Sequence, residues 1–180
     1  MGTSIPALGE IVVDAASIQR RLAELATAID AHYAGSDSPL VLLCVLKGAL
    51  IFTADLVRRL TVPCEIEFLP VGSYGDGTAS SGTPRLTGAG AVALQGRDVL
   101  VVEDIVDTGR TVAFLQQHLS ALGARSVRLV TLLDKTARRT QPVHVDWKGF
   151  DIPDRFVVGY GLDHGGRYRN LADVRALDGA

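Results

Sequence analysis

The sequence predicts an α/β protein with a mostly parallel central sheet flanked by helices. Short, continuous apolar runs alternate with segments of helical periodicity, which is typical of strands that are covered on both faces and connected by helices. Nineteen glycines against seven prolines also favour this class over an all-helical or disordered chain. The 180 residues, 47% of them hydrophobic, suffice for one well-filled core, so we expect a single domain over residues 1–180.

The elements can be justified in order along the chain. Ile18, Leu22, Leu25 and Ile29 recur at helical spacing among charged residues, which predicts an amphipathic helix over residues 15–33. The run PLVLLCVL at 39–46 lacks polar residues and predicts a strand buried on both faces. The remaining predicted elements are a helix at 49–60, strands at 65–71 and 99–103, a helix at 112–122, and strands at 127–133, 145–150 and 156–160.

A long loop is predicted at residues 72–90. This stretch contains six glycines, six serines or threonines, and Pro84. Loops longer than about 12 to 15 residues are uncommon in compact domains and often cover active sites. We therefore expect a flexible loop that closes over a site.

Charge and cysteine content exclude several classes of protein. The 18 basic and 20 acidic residues are interspersed and give a net charge of −2, so no nucleic-acid partner is expected. Cys44 and Cys64 do not form a disulfide framework. No basic segment followed by an apolar stretch opens the chain, and no window resembles a membrane span. We expect a cytoplasmic protein with free thiols and no membrane partner.

The segment VLVVEDIVDTGRT at 99–111 carries the strongest chemical signal. An apolar strand leads into Glu103 and Asp104, two apolar residues, and then a loop with glycine and hydroxyl side chains directly before a helix. The unpaired N–H groups of a helix N-terminus, together with hydroxyl groups, favour binding of a phosphate. Carboxylates beside that loop suit ribose hydroxyls or Mg²⁺. The alternative is that these acids are ordinary loop residues and helix caps.

This segment resembles the phosphoribosyl pyrophosphate signature of the type I phosphoribosyltransferases. The resemblance implies that fold, with a small hood and the flexible closing loop. It also implies that Glu103 and Asp104 meet the ribose hydroxyls and Mg²⁺, and that Asp107 is the catalytic base facing purine N7. The 5-phosphate would be held by Asp107, Thr108, Gly109, Arg110 and Thr111.

Three further segments are similar to the hypoxanthine-guanine branch of that family, and the resemblance as a whole covers most of residues 40–171. VLKGALIF at 45–52 would place Lys47 and Gly48 at pyrophosphate, and LLDK at 132–135 would place Lys135 at the purine O6. The run at 149–171 is the most specific to this branch. By the resemblance, its site residues are Phe156 and Val157 for the purine, Asp163 for the purine and Mg²⁺, and Arg169 for pyrophosphate. Ser73 and Tyr74 match the closing loop.

The implied function is transfer of ribose 5-phosphate from phosphoribosyl pyrophosphate to hypoxanthine or guanine with Mg²⁺, by a homodimer or homotetramer. Two alternatives stay open. One is a transferase for another base, such as xanthine or a pyrimidine, and the other is a nucleotide-sensing regulator that binds RNA or DNA. The C-terminal ADVRALDGA departs from the family, which usually has a short apolar closing strand there, so we expect different packing at this end.

Overall fold

A computed structural model of the chain describes residues 7–72, 85–86 and 94–178. Helices and strands alternate through most of the described chain. In order, they are β1 (Leu8–Val13), α1 (Ala15–Tyr33), β2 (Leu40–Leu46), α2 (Leu50–Val57), β3 (Cys64–Gly72), β4 (Arg85–Leu86), β5 (Asp98–Val106), α3 (Arg110–Ala121), β6 (Ser126–Asp134), a 3-10 helix (Thr136–Arg138), β7 (Trp147–Asp151), β8 (Val157–Val158) and β9 (Val174–Leu177).

The central sheet has the strand order β4-β3-β2-β5-β6-β7. Its strands are parallel except for β4, which pairs antiparallel with β3. The chain passes from β2 to β3 on one side of β2 and later enters β5 on its other side. In open α/β sheets, ligands bind outside the carboxyl ends of strands at such a reversal of strand order. The predicted fold class is confirmed, and the topology marks the ends of β2 and β5 as the place for a site.

Two apolar layers cover the faces of this sheet. Leu42 and Leu100 point into the layer that also holds the buried side chains of α1 and α2. Leu43 and Val101, their sequence neighbours, point into the opposite layer with the buried side chains of α3. Because both faces of β2 and β5 are covered, these strands are continuous apolar runs instead of alternating ones.

A second sheet forms the predicted hood, from β1, β9 and β8 in antiparallel order. Its edge strand β1 and its central strand β9 correct the sequence analysis, because β1 was not predicted and β9 lies in the segment expected to depart from the family. Val174 and Ala176 are buried, whereas Arg175 between them binds the carboxylate of Asp173. The alternation of apolar and polar side chains in VRAL is therefore enough to form a closing strand.

The predicted loop at 72–90 falls mostly outside the described residues. Its described part, Arg85–Leu86, pairs with the end of β3, so this stretch contains a short strand that was not predicted. Only the last two residues of β3 gain a partner in this way, because Val71 pairs with Leu86 and Gly72 with Arg85.

Two smaller expectations can also be compared with the described residues. Cys44 is buried, Cys64 is partly buried, and both thiols are free, as predicted. Within the described ranges, no helix combines the length and apolar content that crossing a membrane requires.

Candidate active site

The candidate site lies where β2, β5 and β6 end side by side. These strands are parallel neighbours, so the residues at their carboxyl ends share one edge of the sheet. Lys47 and Gly48 directly follow β2, Glu103 and Asp104 lie near the end of β5, and Lys135 directly follows β6. The topology therefore brings together three segments that are distant in the sequence.

The phosphate loop is the turn from β5 into α3. Strand β5 continues to Val106, three residues further than predicted, so Asp104 belongs to the strand together with Glu103. Gly109 takes the left-handed φ of 83° at the N-cap of α3, and no side chain caps the helix. The Arg110 N–H makes only a long hydrogen bond of 3.5 Å to Thr108 Oγ1, so the first N–H groups of α3 are suited to an anion.

A small cavity of about 80 Å³ lies at this loop. Its predicted lining residues are Glu103, Asp107, Thr108, Gly109 and Thr111, which the fold brings together with three apolar residues of the same stretch. Arg110 is exposed and its side chain does not line this cavity. Its backbone N–H, at the start of α3, is the part of Arg110 that fits the predicted role.

A second cavity of about 260 Å³ lies beside the first. Six predicted site residues line it, namely Asp104, Asp107, Lys135, Phe156, Val157 and Asp163. Lys135 is only 6% exposed, and no carboxylate forms an ion pair with it among the described residues. Phe156 is 44% exposed, so its ring is available for stacking against a planar ligand. The cavity thus offers an aromatic face and a buried cation.

Sequence analysis missed three lining residues of this second cavity. Ile105 and Leu162 supply apolar surface, and Arg138 supplies a second cation. In the sequence, Ile105 and Leu162 have the same apolar character as core residues, so nothing distinguished them. Arg138 lies outside every motif, and no signal in the sequence would have found it.

Glu103, which is buried, and Asp104, which is partly buried, form an acidic pair. Glu103 is 6% exposed, and its burial, together with the neighbouring Asp104, raises its pKa well above the usual range. Burial also raises the pKa of Asp104, although a hydrogen bond from the Ile105 N–H and the charge of Arg169 act in the opposite direction. A cation or a hydroxyl donor at this position would relieve the cost of ionising the pair.

This pair suits a magnesium ion that is shared with a substrate. The described residues contain no cluster of three or more His, Cys, Asp or Glu side chains able to enclose a metal. Mg²⁺ often binds through one or two carboxylates and takes its other ligands from water and phosphate oxygens. The carboxylates of Glu103 and Asp104 fit this mode of binding.

The turn after β2 fits closely against the acidic pair. A Cβ on Gly48 would lie 1.6 Å from Asp104 Oδ2, so only glycine allows this approach. The Leu46–Lys47 peptide bond, which precedes Gly48, is cis. The Lys47 side chain, which the resemblance places at pyrophosphate, is exposed. Lys47 is thus accessible to an anion from solvent.

Asp163 and Arg169 form an ion pair at the mouth of the site, with 2.6 Å between Asp163 Oδ1 and Arg169 Nη2. Arg169 also donates to the carbonyl of Gly161 at 2.6 Å, and Asp163 accepts a hydrogen bond from the Gly166 N–H. These contacts fix both side chains, and they leave Asp163 outside any metal-binding cluster in the described chain.

Only one of the two carboxylate oxygens of Asp107 lies near a partner among the described residues. Its Oδ1 is buried without a hydrogen-bond partner, and its Oδ2 lies 3.5 Å from Nη1 of Arg138. Asp107 lines both cavities, so its carboxylate stands between the phosphate loop and the larger cavity. The predicted closing-loop residues, Ser73 and Tyr74, lie outside the described residues.

Comparison with known proteins gives consistent results. A family model described as "Phosphoribosyl transferase domain" matches residues 10–164. The chain is 45% identical over 172 residues to a hypoxanthine-guanine phosphoribosyltransferase of Mycobacterium avium, covering 93% of this chain and 85% of that protein. It is 39% identical over 168 residues to the enzyme of the same name from Bacillus subtilis (strain 168), covering 93% and 92%. A hypoxanthine-guanine phosphoribosyltransferase (hpt-2) structure from Bacillus anthracis superposes with a TM-score of 0.88 at 35% identity, covering 95% of this chain and 99% of that one.

Proposed function

The chain belongs to the hypoxanthine-guanine phosphoribosyltransferases, and from this membership we propose how its own residues perform the reaction. It is a purine-salvage enzyme that transfers the 5-phosphoribosyl group from phosphoribosyl pyrophosphate to N9 of hypoxanthine or guanine. The products are IMP or GMP and pyrophosphate. The family favours this activity over the alternative of a nucleic-acid-binding regulator.

One observation carries the assignment of the residues. A small cavity at the phosphate loop adjoins a larger cavity lined by an aromatic ring and a buried lysine, and Asp107 lines both. A ribose bound between them would have its 5-phosphate at the loop and its reactive carbon toward the larger cavity. Glu103 and Asp104 would then hold the ribose hydroxyls.

The larger cavity is proposed to bind the base. Phe156 would stack on one face of the purine, with Ile105 as apolar surface in the same cavity. The buried ammonium of Lys135 is a donor only, so it favours a keto oxygen at C6 over an amino group. Backbone groups of Val157 and the side chain of Asp163 would contact the opposite edge of the base. This arrangement explains a preference for 6-oxopurines over adenine.

The pyrophosphate side is proposed to consist of Lys47, Gly48 and Arg169. Lys47 is exposed and can approach a departing anion, and the glycine lets the backbone come close. The forked guanidinium of Arg169 suits bidentate contact with phosphate oxygens. Mg²⁺, held by Glu103 and Asp104 with Asp163 as a further proposed ligand, would supply charge neutralisation to pyrophosphate when bound. These residues would stabilise the leaving group.

Asp107 is proposed to accept or hold the N7 proton while N9 attacks the ribose carbon. Its position beside the cavity provides the required acceptor, and general-base catalysis typically contributes about 10²- to 10⁴-fold. Asp107→Asn should therefore lower kcat by about that factor with hypoxanthine. The matched control is Asp151→Asn, because Asp151 is 63% exposed at its side chain and lines neither cavity.

The assay uses purified protein, phosphoribosyl pyrophosphate, Mg²⁺, and separately hypoxanthine, guanine, xanthine, adenine and uracil, with nucleotide and pyrophosphate measured. Product from hypoxanthine or guanine supports the base pocket. Product from uracil or adenine alone would refute the role of Lys135. Near-normal turnover by Asp107→Asn would refute the role of Asp107.

Two expectations about the intact protein remain proposals. A homodimer or homotetramer is supported by large apolar side chains that are exposed on α2 and β3, namely Leu50, Ile51, Ile66 and Phe68. Light scattering of the eluting protein would give its mass. A cytoplasmic location is supported by the two free cysteines, which suit a reducing compartment. The closing loop around Ser73 and Tyr74 is proposed to exclude water from the reacting ribose.

A further inference from the structure

Arg138 occupies a position at the site that no motif assigns. It ends the 3-10 helix that follows Lys135, and its half-exposed side chain lines the larger cavity together with Asp107 and Phe156. The adjacent Arg139 has a different role, because it forms an ion pair with the buried Asp134 and its side chain packs against Gly109. Of the two neighbouring arginines, Arg138 is the one that faces the cavity.

The Arg138 guanidinium bridges two acids from different segments. Nη1 lies 3.5 Å from Asp107 Oδ2, and Nε lies 3.7 Å from Asp154 Oδ1. Asp107 belongs to the phosphate loop, whereas Asp154 precedes Phe156, which is proposed to stack on the base. Arg138 therefore connects the segment that holds the ribose with the segment that holds the purine.

Asp107 depends on this contact for its orientation. Among the described residues, Arg138 is the only cation within ion-pair distance of Asp107, and Oδ1 of Asp107 has no hydrogen-bond partner. Without Arg138, neither carboxylate oxygen would have a partner in the described chain. A general base must be held close to the productive geometry to be effective.

We propose that Arg138 is a positioning residue, which holds the Asp107 carboxylate toward N7 of the bound purine. This inference rests on the proposed function, because it acts through the role of Asp107. Arg138→Gln leaves a neutral donor in place of the charge and should lower kcat/KM for hypoxanthine about tenfold. KM for phosphoribosyl pyrophosphate should stay within twofold, because Arg138 does not line the phosphate cavity.

Two further variants define the effect. Arg138→Lys keeps the charge near Asp107 but cannot bridge both acids, so it should recover most of the lost activity. Arg20→Gln is the matched control, because Arg20 is exposed on α1 and, among the described residues, its side chain hydrogen-bonds only to Ser17. Its kinetics should equal those of the unaltered protein.

The decisive experiment compares hypoxanthine with 7-deazahypoxanthine, which lacks N7. We would measure kcat/KM for hypoxanthine and the inhibition constant of 7-deazahypoxanthine for the unaltered protein and for Arg138→Gln. The expected result is a tenfold loss for hypoxanthine with less than a twofold change for the analogue. Equal changes for both compounds would mean that Arg138 only shapes the cavity, and no change for either would mean that it has no role; each result overturns the proposal. Failure of the unaltered protein to convert hypoxanthine would instead refute the proposed function.

Discussion

The Gly48→Ala substitution tests whether the turn after β2 is fitted to the acidic pair. The added Cβ would lie 1.6 Å from Asp104 Oδ2, and contacts below 3.0 Å essentially never occur, so one of the two must move by at least about 1.4 Å. On the other side of the turn, a Cβ on Gly161 would lie only 2.2 Å from the carbonyl oxygen of Gly48. The turn is therefore confined between Gly161 and Asp104, and we expect the carboxylate of Asp104 to move.

Displacement of the Asp104 carboxylate should lower kcat/KM more strongly than it lowers the stability of the fold. A misplacement of about 1 Å near the reacting groups can cost about 10²-fold, so kcat/KM for phosphoribosyl pyrophosphate should fall at least that far. Rotation of Asp104 would also break its hydrogen bond with the Ile105 N–H at 2.9 Å. The free energy of unfolding should drop by about 1 to 3 kcal/mol, which lowers Tm by about 2 to 12 °C in a chain of this size.

The control is Gly35→Ala, which separates instability from damage to the site. Gly35 has a φ of 79° and nothing within 4 Å of an added Cβ, so its cost of about 1 to 2 kcal/mol comes from the backbone alone. We expect reduced Tm with unchanged kinetics for this control. Initial rates at varied phosphoribosyl pyrophosphate, with melting curves, measure both quantities. If Gly48→Ala kept more than a third of kcat/KM, the close fit of the turn would not matter for activity.

Three further predictions concern charge and anchoring. Glu103→Gln should stabilise the ligand-free protein above neutral pH and should remove activity. The pKa of Glu103 is raised in the folded state, so the folded protein loses stability as pH rises through that pKa. The uncharged amide does not ionise, so the variant does not lose this stability. Denaturant titrations at pH 5 and pH 8 check the sign, and a less stable variant at pH 8 would contradict it. Hydrogen bonds from Arg125 lower the pKa of Asp98 from 3.8 to about 2, so at most about 2 kcal/mol of stability should be present above pH 4 and lost between about pH 4 and pH 2. Asp98→Asn should flatten this part of the acid unfolding profile, and an unchanged profile would refute the assignment. Tyr160→Phe removes the 2.6 Å hydrogen bond to Asp55 on α2 and should cost about 1 to 2 kcal/mol; an unchanged Tm in calorimetry would show that this bond does not stabilise the hood.

The central sheet could be predicted because its strands are buried on both faces. Such burial produces uninterrupted apolar runs, so β2 was predicted close to its observed bounds and β5 was predicted up to the two acids that interrupt its apolar run. The hood could not be predicted in the same way. Strand β1 is exposed at half of its positions and buried only at Val13, and β9 has only four residues, so neither gives a strong periodic signal. Their pairing connects the two ends of the described chain, which local sequence patterns do not encode.

The residues of the candidate site were predictable to different degrees. Charged and glycine residues at the ends of strands were predicted, because their segments resemble those of the hypoxanthine-guanine phosphoribosyltransferases. Ile105 and Leu162 were not predicted to line a cavity, because apolar residues beside a ligand resemble those of the core. Arg138 was missed because arginines are common in polar loops. Only its distance from Asp107 in the structure indicates a functional role.

The arrangement of charges at the site has a common physical logic. One buried and one partly buried carboxylate lie near the end of β5, and the nearby cations come from separate segments: Lys135, Arg138 and Arg169. Neither carboxylate of the β5 pair forms an ion pair within the described chain, so Glu103 and Asp104 keep raised pKa values and destabilise the ligand-free fold. A cation placed directly against the pair would relieve that cost, but it would compete with the ribose hydroxyls and metal that we propose to bind there. A ligand that neutralises or hydrogen-bonds the pair would recover the stability that the ligand-free fold lacks. A mutation that stabilises the ligand-free fold by removing one of these charges should therefore lower the activity.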